Sequence, residues 1–167
     1  MMNFTLRPFN FNDLDNLVRN ANNPKIAQFM TDGFPSPYTA DNGKAFIEFA
    51  NRDNPIHIFA IDVNGEASGG IGIHPQQDIM RKNAELGYWL AEKYWGNGII
   101  SKAILQVVDF GFKTYDINRI FARPFGNNMA SQHVLHKSGF TLEARLEKTI
   151  IKNGEMLDEL IYAIRRK

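Results

Sequence analysis

The chain contains no cysteine. That excludes a cysteine nucleophile, a disulfide framework and any thiolate-held zinc or iron–sulfur site. It fits a reducing compartment. No stretch approaches the roughly 20 apolar residues that a membrane span needs. The opening MMNFTLRPFNFND lacks the apolar core of about 7–15 residues found in a signal peptide. A cytoplasmic protein is therefore expected. Net charge is nearly absent as well, because 19 basic residues oppose 18 acidic ones to leave +1. General binders of nucleic acid or anionic membrane are far more basic, so neither partner is expected. An anionic ligand would have to be held by a local arrangement.

Repeats, low-complexity tracts and linkers are also missing. The 167 residues suit one domain over 1–167. A hydrophobic content of 44% with 22% charge is too apolar for a disordered chain. Phe4–Arg7 reads as a strand, stopped by Pro8. Asn12 or Asp13 can cap a helix over Leu14–Asn20. Pro24, Gly33, Pro35 and Pro37 mark an irregular stretch, where Phe34 and Tyr38 are candidates to line an acceptor pocket. Asp41–Asn51 has helical spacing. Ile56–Val63 and Gly69–His74 read as strands joined at Asn64-Gly65, a hairpin signal. Asn83–Leu90 is a further strand. Ile100–Tyr115 is the strongest helix, with Ile104, Val107, Val108 and Gly111 on one face. Ile120–Arg123 is a short strand. Met129–Lys137 is a helix, capped by Asn127 or Asn128. Thr141–Ile151 and Met156–Arg165 pair across Asn153-Gly154. The basic end, Arg165–Lys167, reads as a solvated tail. Hairpins mixed with crossovers predict a mixed α/β (α+β) sheet, not a doubly wound one.

Chemistry concentrates in Glu85–Ser101, ELGYWLAEKYWGNGIIS. A strand enters a glycine turn, and the turn enters the best helix. The first amides of a helix lack internal partners, and its dipole favours anions there. Gly96 and Gly98 let the backbone approach a phosphate with no Cβ in the way. Lys93 and Lys102 flank the turn. The pattern describes a pyrophosphate cradle. The dinucleotide fingerprint fails, because Ser101 replaces its third glycine and no acidic residue follows at a strand end. The phosphate-loop pattern G-x-x-x-x-G-K-[ST] is absent. A ligand-free strand–helix connection remains the bland alternative.

Lys93-Tyr94-Trp95-Gly96-Asn97-Gly98 resembles the Q/R-x-x-G-x-G/A motif of the GCN5-related N-acetyltransferases, the GNAT family. ELGYWL followed by YWGNGIIS is similar to the branch of the ribosomal-protein alanine N-acetyltransferases (RimJ/RimL-like). Asn128-Met129-Ala130-Ser131 matches that branch's N-x-x-S. His136–Phe140 matches its E-K-x-G-F, with histidine for glutamate. Pro37–Thr39 and Asp158 fit the same branch. Lys93 departs from the usual arginine or glutamine, but its charge and backbone donor remain.

The resemblance implies one mostly antiparallel sheet of about six or seven strands with about four helices, in which two central parallel strands splay. These would be Asn83–Leu90 and Ile120–Arg123. It implies acetyl-CoA or CoA as co-substrate. Trp89 and Leu90 would pair with the pantetheine arm as with an added strand. Lys93, Gly96, Asn97, Gly98 and Ile99 would hold the pyrophosphate, helped by the Ser101 hydroxyl. The thioester would point to Asn128 and Ser131. Glu85 is the candidate proton acceptor, with a structural ion pair as its alternative. Ser131 is the candidate donor to the leaving thiolate, with a local backbone bond as its alternative. The partners expected are acetyl-CoA and a primary amine, either a protein N-terminus or a small molecule, with a homodimer left open. A non-catalytic CoA-binding module or sensor is the competing function. No metal is expected: His57, His74, His133 and His136 show no ligand spacing.

Overall fold

The computed structural model describes residues 2–166. Met1 and Lys167, both inside the expected domain 1–167, lie outside the described residues. The chain forms two compact units. The first comprises residues 2–72 with 88–103, and the second 73–87 with 104–166.

In the first unit, β1 (Thr5–Arg7) pairs antiparallel with β2 (Ile58–Val63). The hairpin partner of β2 is β3 (Glu66–Pro75). Asn64 and Gly65 both take left-handed backbone, at φ 56° and 83°, which is why that dipeptide turns the chain. Three helices follow β1: α1 (Leu14–Ala21), α2 (Pro24–Ala27) and α3 (Ala40–Asn51). Neither Asn12 nor Asp13 provides the first side-chain cap. Asn10 does, accepting from the Asn12 amide in front of a 3-10 turn at Phe11–Asp13. Asp13 is committed elsewhere: its carboxylate closes the box on Asn10 and takes a fork of two 2.7 Å bonds from Arg7. The stretch expected to be irregular opens with the single-turn α2. Pro24 stands at its first position, where no amide donor is missed, and Asn23 caps it.

Phe9, Leu17, Ile26, Tyr38, Ile47, Ile58 and Trp89 form the core of this unit. Tyr38 is thus packed into this core and does not project from the loop. It is 5% exposed, its ring centroid lies 5.3 Å from that of Phe34, and Phe34 in turn meets Trp89 at 6.0 Å. Burial pushes the Tyr38 hydroxyl up to about 12.

The second unit is built on β5 (Arg119–Ala122), β6 (Thr141–Lys152) and β7 (Glu155–Arg165), with most of β4 (Asn83–Leu90) and of α4 (Ile99–Thr114), and α5 (Met129–Lys137). β4 and β5 are parallel, while β5–β7 and β6–β7 are antiparallel. The hydrogen-bonded order is β1-β2-β3-β4-β5-β7-β6, so the expected mixed sheet has seven strands. Arg166 is not a free tail. Its guanidinium donates to the Phe112 and Tyr115 carbonyls at the end of α4, where unpaired acceptors and the dipole favour a cation. β6 is last in the order. Register shifts interrupt it at Leu142/Ala144 and Leu146/Ile150. Within the second, Lys148 adopts φ 51° and donates its amide to Asp158 at 3.0 Å.

Candidate active site

The cradle lies in the first unit. β4 ends at Leu90, a 3-10 turn covers Glu92–Tyr94, and α4 starts at Ile99. Gly96 and Gly98 between them sit at φ 76° and 72°. An L side chain rarely adopts that backbone, and a Cβ built at either position would project into open space. The turn locks itself. The Trp95 indole donates to the Leu90 carbonyl at 2.7 Å, and the Asn97 amide group donates to the Tyr94 and Trp95 carbonyls at 3.1 Å each. The side chain of Asn97 thus serves the turn, which leaves its backbone N–H as the group it can offer a ligand. Ile99, 2% exposed, anchors the helix start. Intrahelical bonding begins with the Lys102 amide reaching the Gly98 carbonyl. Amides ahead of it lack helical acceptors, and the first turn of α4 carries no acidic residue. Ser101 lies in that turn. Trp89 is buried in the core, so only its backbone is available to an added strand.

Lys93 does not direct its charge at the turn. Its ammonium meets both Glu66 oxygens at 2.9 Å. Glu66 also accepts from Arg19 at 2.8 Å and Asn20 at 3.0 Å. Partial burial alone would raise the Glu66 pKa, but the bonds from Arg19, Lys93 and Asn20 outweigh it and hold it at about 2. Sequence reasoning missed this tie because the partners stand 27 and 47 positions apart. A depressed carboxylate stabilises the fold above its unfolded pKa, and that stability is lost as pH falls through the folded value. The window here runs from the ordinary 4.5 down to about 2. Glu66→Gln should therefore flatten the loss of thermal stability between these limits. Circular dichroism melts from pH 5 to 2 measure it, and parallel wild-type and variant curves would show that the tie contributes nothing.

In the second unit the β4–β5 ladder is short. It pairs Asn83 with Arg119, Ala84 with Ile120 and Glu85 with Phe121, and then stops. Glu85 occupies the last pair. Arg123, just past β5, donates to it from Nε at 2.9 Å and from Nη2 at 3.3 Å. Its Nη1 reaches Glu159 at 3.2 Å. Arg123 holds its proton more tightly than usual, first through the Glu85 bond, against the opposing effect of partial burial. Glu85 is thus an ion-paired strand carboxylate that remains open to solvent, with its side chain 29% exposed.

The N-x-x-S segment lies in the same unit. Asn128 caps α5, its side-chain oxygen accepting from the Ser131 amide at 3.1 Å. Asn127 does not take that role. The preceding loop is fastened to β7 by the Gly126 amide on the Asp158 carbonyl and the Leu160 amide on the Pro124 carbonyl. A Cβ at Gly126 would lie 2.9 Å from that of Asp158, so glycine is required by the close approach. Ser131 is half-buried in the first turn. His136 is exposed, and no metal-binding cluster occurs among the described residues. None of the described helices is long and apolar enough to cross a membrane.

A seven-stranded mixed sheet, a parallel ladder that ends early and a double-glycine turn opening a long helix are the features that the sequence resemblance implies for an acyl-CoA-dependent acyltransferase. A family model described as an acetyltransferase (GNAT) domain matches residues 3–141. The chain belongs to the GNAT acetyltransferase family, enzymes that take acetyl-CoA as acyl donor, and is similar to its ribosomal-protein branch. It is 37% identical over 99 residues to the uncharacterized N-acetyltransferase YoaA of Bacillus subtilis, covering 59% of this chain and 55% of that protein. With the ribosomal-protein-serine acetyltransferase of Escherichia coli it shares 32% identity over 84 residues, covering 50% and 47%. The chain spans about half the length of these curated relatives. Among solved structures, the microcin C7 self-immunity acetyltransferase MccE, in complex with acetyl-CoA and AMP, superimposes with a TM-score of 0.82 at 27% identity, covering 98% of this chain and 92% of that one.

Proposed function

We propose that the chain transfers the acetyl group of acetyl-CoA directly to a primary amine, with residues 1–167 acting as one catalytic domain in the cytoplasm. The observation that carries this reading is the pair of left-handed glycines, 96 and 98, opening a 16-residue helix with open space at both Cβ positions. Backbone amides there suit a pyrophosphate. Amides and carbonyls of Trp89 and Leu90 take the pantetheine arm as an added strand, the Ser101 hydroxyl borders the phosphates, and Lys93 contributes its backbone while its ammonium stays on Glu66. Asn128 and Ser131 serve the thioester end.

Transfer needs a neutral amine, a polarised carbonyl and a protonated leaving thiolate. The amine nitrogen attacks the thioester carbon and its proton passes through water to Glu85. The carbon–sulfur bond then breaks, the Ser131 hydroxyl donates a hydrogen bond to the departing thiolate, and the thiolate takes its proton from solvent. An α-amine, with a pKa of about 7.7–8.0, is partly neutral at pH 7, whereas a lysine amine near about 10.4 is almost wholly charged. A remote carboxylate suits the first better, while the relatives are named both for a ribosomal-protein serine and for spermidine, so both acceptor classes enter the test.

The test is thiol release from acetyl-CoA across N-terminal peptides, polyamines and amino acids. Release dependent on a primary amine supports the proposal; tight CoA binding without turnover for any amine favours a sensor. Ser131→Ala should slow transfer from acetyl-CoA with little change in acceptor KM. The defect should shrink for a donor with a more acidic leaving thiol, because that thiolate needs less help. A stability loss of about 1 kcal/mol with unchanged turnover would leave Ser131 a local backbone partner.

A further inference from the structure

A carboxylate that takes a proton through water must hold one orientation, because the water must bridge two fixed points. A glutamate on an exposed strand face has no such constraint of its own. Glu85 acquires one from Arg123. Glu85 stands opposite Phe121 at the end of the ladder, and Arg123, two positions on from Phe121, projects to the same face. Both Glu85 oxygens are gripped by one planar fork, at 2.9 and 3.3 Å. The remaining edge of the guanidinium is held by Glu159 at 3.2 Å. Glu159 is itself fixed by a backbone bridge from β7 to Phe125. The guanidinium is therefore located from β4 on one side and β7 on the other.

We propose that Arg123 is a positioning residue for proton removal, orienting the Glu85 carboxylate while Glu159 holds the guanidinium in place. This inference rests on Glu85 being the proton acceptor. Two carboxylates around one guanidinium leave a net single negative charge, a surrounding that favours a protonated amine over an anionic acceptor. Lysine cannot replace Arg123, since a single ammonium cannot grip both Glu85 oxygens and reach Glu159 in one plane.

The experiment is a double-mutant cycle on the intact chain, with kcat and both KM values measured for wild type, Glu85→Gln, Arg123→Ala and the double variant. Arg123→Ala should lower kcat by roughly 10- to 100-fold, the scale of a misplaced reacting group. KM for acetyl-CoA should stay within about twofold, since the change lies outside the cradle. Arg123→Lys should recover little of the rate. In the Glu85→Gln background, Arg123→Ala should cost nothing further, because it acts through Glu85. An equal fold-loss in both backgrounds, or an unchanged kcat in Arg123→Ala, overturns the inference while leaving Glu85 as acceptor. Full activity in Glu85→Gln overturns the acceptor assignment and the inference with it. Arg123→Gln, which stays polar and of similar reach, replaces the alanine variant if melting shows that one to be unfolded.

Discussion

Gly98→Val should weaken CoA binding by roughly 5- to 150-fold where the free variant relaxes its turn out of the left-handed backbone, before any steric block is counted. That range converts the usual 1–3 kcal/mol for forcing a side-chain-bearing residue into left-handed backbone. A β-branched residue belongs at the upper end. Gly98 sits at φ 72°, immediately ahead of α4, and no protein atom lies within 4 Å of where a Cβ would stand. The valine would thus strain the turn and also occupy the space a phosphate needs. The two effects separate with Gly98→Asn, since asparagine tolerates positive φ. If Asn binds CoA like glycine, conformation alone matters; if it binds like valine, the side chain blocks approach. Isothermal titration with CoA measures both. Wild-type affinity in a folded Gly98→Val protein would remove this turn as the cofactor site.

Glu85→Gln should lower kcat by about 10²–10⁴, the range for loss of a general base. Glutamine keeps one oxygen that can accept from Arg123 but sets its NH2 against the second guanidinium N–H, so one of the two bonds is lost along with the capacity to take a proton. CoA affinity should hold, because the cradle begins several residues further along the chain. The pH dependence decides the chemistry. If rising pH restores the variant, solvent removes the proton once the amine is neutral, and Glu85 only assists. Wild-type turnover at pH 7 would make Glu85 a structural partner of Arg123.

Much of the architecture was legible because it is written locally. The strand Asn83–Leu90 and the helix Met129–Lys137 fall at the predicted bounds. Both hairpins turn at Asn-Gly, where the dipeptide itself sets the left-handed backbone. The long helix announced itself by one apolar face, and the turn ahead of it by its two glycines. What escaped was decided by residues far apart in sequence. Asn12 and Asp13 are the caps the sequence suggests, yet Asn10 takes the role, because Arg7 claims the Asp13 carboxylate. Pro24 reads as a breaker, yet at a first helical position its missing donor costs nothing. Lys93 reads as a phosphate contact, but Glu66 claims its ammonium. Arg123 carried no signal at all, since its meeting with Glu85 depends on the β4–β5 register and with Glu159 on a strand that follows much later.

The outermost strand has a consequence for how the protein behaves in a crowded solution. β6 exposes Leu142, Leu146 and Ile151, and a flat strand of that length and composition would be a template for another chain. Its two register shifts work against that. At Lys148 the backbone turns left-handed and gives its amide to the Asp158 carboxylate, so one donor faces inward where an incoming strand would need it outward. A lysine also stands at the kink, and adding a neighbouring strand would strip water from its charge. The irregularity that looks like a flaw in the hairpin is thus of the kind that blunts an edge strand against pairing with another chain.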